Sequence, residues 1–153
     1  MEILRPGGFA SNALAWVPMV RETSAVQAPF GDIALPVVDP LDIAEVAAAV
    51  LTEDAHAGRT YEITGPVPTT PRERVAEIAA ATGRPLEFVE LTPAEARSQL
   101  SAFMPPEVVD GTLAILGNPT AAEQAVSPHV GQVLGRPARG FGEWARRFAA
   151  AYA

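Results

Sequence analysis

Asp39 and Asp42 stand three residues apart, a spacing that sets two carboxylates at one end of a helix, where such a pair can do acid–base work. The same positions are an N-cap and an acid held by the helix dipole, and Pro40 beside Asp39 favours that second reading. Arg5 precedes Pro6-Gly7-Gly8; its guanidinium either grips a phosphate or carboxylate with two hydrogen bonds or braces the end of a sheet as an ion pair. Gly7-Gly8 either lets a ligand approach the backbone closely or makes a turn. Trp16, Met19 and Phe30 either line a hydrophobic pocket or pack in the core. His129 opens a short helix with no acid near it in sequence, so a structural or exposed role is favoured over catalysis, although imidazole titrates near neutrality. His56 lies in a polar turn after a helix, where a cation suits the dipole. Tyr61 alternates with Thr60 and Glu62, the pattern of half-buried strand packing.

Composition removes several chemistries. All 11 basic residues are arginines, which excludes a Schiff base or a lysine general base from this chain. The absence of cysteine removes thiol nucleophiles, disulfides and zinc–thiolate sites. Two histidines far apart argue against a His-based metal site. With 18 acidic residues the net charge is -7, opposite in sign to the basic footprint of nucleic-acid binding. No apolar run approaches the roughly 18 residues of a membrane span, and Met1 to Pro6 show no basic segment followed by an apolar stretch. The expectation is an acidic cytoplasmic protein without nucleic-acid or membrane partners, and a 48% hydrophobic content is enough for a real core.

Helix punctuation organises these residues. Asp39-Pro40 starts a helix reaching about Thr52, its apolar face at Ile43, Val46, Ala47, Val50 and Leu51. Thr70-Pro71-Arg72-Glu73 and Thr92-Pro93-Ala94-Glu95 are capping boxes that open two more, the first stopping at Gly83 and the second running to about Phe103. Pro106 opens another with Val108, Val109, Leu113 and Leu116, and Ser127-Pro128 a short one ending at Gly135. The last carries Phe141, Trp144, Ala145, Phe148 and Tyr152 on one face, a core or interface stripe. Strand candidates are Ile3-Leu4, Ile33–Val38, Thr60–Thr64 and Leu86–Leu91. The spacing predicts an α/β or α+β domain over 1–153, with one small sheet of three to four strands and five to six helices; 117–127 reads as a loop or mobile linker. A strand that spans only Ile3-Leu4 is short to found a core, so the chain reads as the continuation of something larger.

Five segments in order carry a resemblance. Ile3-Leu4-Arg5-Pro6-Gly7-Gly8-Phe9-Ala10-Ser11-Asn12, Val37 to Ala44, Gly58 to Pro66, Ala81 to Leu91 and Phe141-Gly142-Glu143-Trp144 resemble, over almost the whole chain, the C-terminal half of NmrA-like atypical short-chain dehydrogenase/reductases. The family's Gly-rich fingerprint, which brings a pyrophosphate to a helix N-terminus, has no match here. The resemblance implies a Rossmann-type fold and a role beside the nicotinamide of NADP or NAD. Carried over by position, Pro6, Gly7, Gly8 and Phe9 border the cofactor, while Asn12, Trp16, Phe30 and Asp32 face the substrate. It implies an NAD(P)H-linked oxidoreductase acting on a small molecule, with catalytic residues unassigned. A cofactor-independent binder, lyase or cyclase on the same fold, and a redox-sensing interaction module, stay open. An uncovered strand edge predicts a homodimer or a complementing chain.

Overall fold

One aspartate and three threonines decide where half of the helices start. The computed structural model describes the backbone of residues 1–153 and every side chain except that of Asp54. The chain runs β1 (Ile3–Pro6), a 3-10 stretch Ala10–Trp16, α1 (Val17–Thr23), β2 (Ala25–Pro29), α2 (Pro40–Thr52), β3 (Thr60–Ile63), α3 (Pro71–Thr82), β4 (Glu87–Leu91), α4 (Pro93–Leu100), α5 (Pro106–Gly117), α6 (Ala121–Gln124), α7 (His129–Leu134) and α8 (Phe141–Phe148), with a last 3-10 turn at Ala149–Tyr152. Asp39 caps α2 by accepting from the Leu41 N–H at 3.0 Å. Thr70, Thr92 and Thr120 exchange hydrogen bonds with Glu73, Glu95 and Glu123 at the starts of α3, α4 and α6, so donors that a helix start leaves unpaired are satisfied. These caps hold all three glutamates below the usual carboxylate range, because the ionised form accepts the threonine backbone hydrogen bond.

The mixed α/β class is as expected, but its sheet and helix counts are corrected. Instead of one sheet of three to four strands there are two separate parallel pairs, β1–β3 and β2–β4. The expected strand Ile33–Val38 makes only isolated bridges, Leu35 with Thr69 and Val38 with Phe9. Its own composition explains this: Pro36 has no N–H to give, and the Val37 N–H turns back to the Leu35 carbonyl at 2.9 Å. A strand that no sequence signal marked, β2, pairs with β4 from Ala25↔Glu87 to Pro29↔Leu91. Eight α-helices replace five to six, the additions being α1 and α6, too short to show periodicity. Within 117–127, α6 occupies four residues.

Each parallel pair has its own core. Val38, Val46, Val50, Tyr61, Ile63 and Val130 pack α2 and α7 against β1–β3. Trp144 and Tyr152, both fully buried, join Val20, Val26, Val75, Ile78 and Phe141 around β2, α1, α3 and α8. A third cluster, Ala96, Val109 and Leu113, joins α4 to α5, with Phe30 and Leu91 packed on it. The Tyr152 hydroxyl donates to the Ala13 carbonyl at 2.7 Å, which ties the C-terminal turn to the segment after β1. Burial raises the pKa of this phenol, because its ionised form loses solvation.

Candidate functional site

Ligands of open parallel sheets bind outside the carboxyl ends of the strands, and each pair here has one such edge. At β1–β3 the edge is built from backbone. The Gly7 N–H donates to the Ile63 carbonyl at 2.9 Å, Val38 N–H to Gly8 O at 2.8 Å, Ala10 N–H to Val38 O at 2.8 Å and Gly65 N–H to Pro36 O at 3.0 Å. A Cβ on Gly65 would lie 2.2 Å from the Val37 carbonyl oxygen, so only glycine fits that approach. Thr64 is buried beneath the edge, and its hydroxyl accepts from the Ser127 N–H at 2.9 Å. Pro6, Gly7, Gly8 and Phe9 are exposed above it, and the N–H groups of Gly8 and Phe9 find no acceptor among the described residues.

The edge presents two N–H donors beside the exposed Phe9 ring. The segment that follows is 3-10 and presents no α-helix N-terminus to a pyrophosphate. Asn12 is exposed on that segment, and Trp16 is half-buried against the Trp144 core. Arg5 stands directly opposite Glu62 in the strand register and pairs with it at 3.5 Å, both exposed, which is the bracing reading.

At β2–β4 the edge is built from side chains. Phe30, Pro93, Ala94, Arg97, Asp110, Leu113, Ala114, Gly117 and Asn118 line a cleft of about 770 Å³. Phe30, the first residue beyond β2, has a φ of 55°, a left-handed backbone that costs a bulky residue about 1–3 kcal/mol and persists only where the surroundings impose it. The surroundings are visible at Gly31. Its N–H donates to the Glu90 carboxylate at 3.2 Å, and its carbonyl accepts from the Arg72 N–H at 3.2 Å. A Cβ there would meet the Phe88 ring at 2.5 Å. Arg72 ties the knot: its guanidinium reaches Asp32 at 3.1 Å and Glu90 at 3.2 Å and lies 4.7 Å from the centre of the Phe88 ring. Asp32, hydrogen-bonded first in order of effect, raises the pKa of Arg72. Across the cleft mouth Arg97 pairs with Asp110.

Of the eight residues named from the sequence, the structure brings Pro6 to Phe9 together at the first edge and Phe30 and Asp32 at the second. Asn12 and Trp16 lie on the 3-10 stretch and line neither the cleft nor the β1–β3 turn. Sequence reading missed Arg72, Glu90, Arg97 and Gly117, which come from four separated segments and carry no local signal beyond their helix and strand positions.

The remaining candidates are structural. Asp42 is fully buried and takes the Arg136 guanidinium at 2.8 Å and the Arg139 N–H at 2.7 Å, while Arg147 pairs with Asp39. Glu45 completes the cluster with both Arg136 and Arg139, and Arg136 first, then Arg139, holds its carboxyl below the usual range. The two aspartates therefore lock α2 to the segment leading into α8. His56 Nδ1 lies 2.6 Å from the Tyr61 hydroxyl, and His129 Nδ1 accepts from the Glu62 N–H at 2.8 Å, so both imidazoles serve the β3 scaffold. Among the described residues no three metal-ligating side chains gather, and no helix is long and apolar enough to cross a membrane.

No family model matches the chain. It is 42% identical over 151 residues, 98% of its length, to the (4-alkanoyl-5-oxo-2,5-dihydrofuran-3-yl)methyl phosphate reductase of Streptomyces griseus, of which it covers 54%. It is 33% identical to the NAD(P)H azoreductase of Xenophilus azovorans, covering 97% of this chain and 53% of that protein. The chain spans about half the length of these relatives. Its fold matches that of the NADPH-dependent quinone oxidoreductase QOR2 of Escherichia coli in complex with NADPH, with a TM-score of 0.79 at 23% identity, over 96% of this chain and 53% of that one. It also matches NmrA, a negative transcriptional regulator, in complex with NADP, with a TM-score of 0.60 at 21% identity over 96% and 52%. Along almost its whole length, then, the chain is similar in sequence to a dihydrofuranyl-methyl phosphate reductase and an NAD(P)H azoreductase and in fold to both a quinone oxidoreductase and NmrA.

Proposed function

We propose that this chain is the C-terminal, substrate-side half of an NmrA-like, NAD(P)H-dependent reductase that acts on a small conjugated carbonyl compound bearing an apolar tail. The observation that carries this reading is the 42% identity over 98% of the chain to a reductase whose name specifies a ring C=C conjugated to carbonyl groups and an alkanoyl substituent. In this reading Pro6, Gly7, Gly8 and Phe9 border the nicotinamide, with the Gly8 and Phe9 N–H groups as donors. Phe30 and Asp32 bound the substrate side. A reduced nicotinamide held there would supply the hydride for reduction of a conjugated C=C, with the matching proton drawn from solvent.

The pyrophosphate cradle, which this chain lacks, comes from a Rossmann half that pairs with the open edge of β1, so the working unit is a completed Rossmann sheet. Calorimetric titration with NADPH and NADH, with light scattering on the same sample, tests this. Micromolar binding of either cofactor to the assembled species is the expected result. No heat from either cofactor at a concentration where the assembly is present overturns the reading.

A further inference from the structure

We infer that the cleft at the carboxyl edge of β2–β4 seats an unbranched alkyl or acyl chain, and that the contact between Phe30 and Gly117 sets how long a chain it accepts. This rests on the reading above and names the part of the substrate that this edge holds.

The shape comes from two helices. On α5, Asp110, Leu113, Ala114 and Gly117 recur at the spacing of a single helical face, and on α4 the wall is Pro93, Ala94 and Arg97. The lining stripe of α5 runs from Asp110 to Gly117, seven steps along the helix and roughly 10 Å of rise, so the cleft is a trough between helices suited to a chain more than to a disc. The trough is open to solvent along much of its surface, and most of its lining is apolar.

Its chemistry is apolar at the wall and neutral at the rim. The charged residues that line it, Arg97 and Asp110, are paired with each other, and a charged group entering the trough would have to separate them. An alkyl chain meets no such cost, and each methylene leaves water.

The end of the trough is the unusual part. The Phe30 ring points at Gly117, where an added Cβ would stand 2.5 Å from Phe30 Cζ and 2.7 Å from Cε1. Phe30 cannot retreat along its own backbone, because Gly31 is held on one side by Glu90 and on the other by Arg72. A ring held in a left-handed conformation and seated on a glycine is a fixed stop.

The test uses straight-chain carboxylates from butanoate to dodecanoate as probes, with calorimetric affinities and backbone amide shifts by NMR. In the unaltered protein, affinity should rise by up to about fourfold per methylene and then level off, with shifts at Phe30, Ala94, Leu113 and Gly117. Phe30→Ala should move the levelling point to chains at least two carbons longer. Gly117→Ala, which drives the ring tip into the trough, should move it to shorter chains or cost tenfold or more in affinity. Phe30→Leu, which keeps the core contact, serves if the alanine variant fails to fold, and should give an intermediate limit. The same limit in all folded variants, or shifts away from the trough, overturns the inference. Cofactor binding is measured on the same samples: its loss bears on the reductase reading alone, and its retention with a flat chain-length profile removes only the trough.

Discussion

The two carboxyl edges solve one problem with different materials. At β1–β3 the surface is defined by backbone, with glycines 7, 8 and 65 laced by hydrogen bonds into the Pro36, Val38 and Ile63 backbone and Gly65 seated against the Val37 carbonyl. At β2–β4 it is defined by side chains, with Arg72, Glu90, Phe88 and Asp32 clamping one strained loop. Backbone cannot move aside without breaking its own hydrogen bonds, whereas side chains can change rotamer. The first edge should therefore tolerate no added side-chain atom, whereas the second can make room where only the Phe88 ring stands in the way, with the Phe30 backbone held by the clamp on Gly31.

Removing a core tests whether the two halves are energetically separate. Trp144 is fully buried in the β2 core, stacked on Phe148 at 4.9 Å. Trp144→Ala should destabilise by about 3 kcal/mol, the low end for a buried aromatic, because the indole N–H has no partner and its loss spares an unsatisfied donor. Hydrogen exchange should show β2 and β4 losing protection before β1 and β3; equal loss in all four strands would make the cores one cooperative unit and end the comparison.

The sharpest contrast is between two glycines. Gly65→Ala puts a methyl 2.2 Å from a backbone carbonyl, and should cost about 3 kcal/mol. Gly31→Ala meets the Phe88 ring at 2.5 Å; the ring can swing, so about 1–2 kcal/mol is expected. Denaturant midpoints for the two variants decide the order, and a larger loss at Gly31 would reverse the assignment of rigid and adjustable edges.

Acid should act on the cluster that holds α8 to α2. Glu45 has a folded pKa below its ordinary 4.5, so its contribution is present above that value and lost as pH falls through the folded pKa. Thermal melts should show stability dropping below about pH 4.5, and Glu45→Gln should flatten part of that drop. Tyr152 works in the opposite direction: a phenol whose pKa is raised above the ordinary 10 contributes below that pH and loses its contribution as pH climbs beyond it, a loss that Tyr152→Phe should remove. The smallest effect belongs to Arg5→Ala. An ion pair 62% and 51% exposed is worth about 0–1 kcal/mol, so the melting point should barely move; a drop of several degrees would show that Arg5 braces the β1–β3 edge more firmly than a surface pair can.

Legibility followed sequence distance. The starts of α2, α3 and α4 were readable because a cap and its partner lie within three residues; the same Thr-x-x-Glu signal at Thr120 marks α6 and went unread inside an unpatterned stretch. Strands β3 and β4 were readable from alternation. Strand β2 was not, because Ala25-Val26-Gln27-Ala28-Pro29 carries little β-branched character, and its existence depends on β4, about sixty residues away. At the candidate site, Pro6 to Phe9 form one contiguous run, so a single stretch of sequence places them on one edge. The Phe30 clamp was not, since Asp32, Arg72 and Glu90 become neighbours only after folding.

By itself the amino-acid sequence determined the mixed class, most helix boundaries, the exclusion of lysine and cysteine chemistry, and the backbone-built edge, because each depends on residue type and on neighbours within a turn or two. Tertiary structure alone decided that the strands form two pairs, that Asp42 is a buried lock between α2 and the α8 approach, and that Phe30 is held strained over Gly117. Those outcomes rest on long-range hydrogen bonds and packing, whose partners no local pattern names.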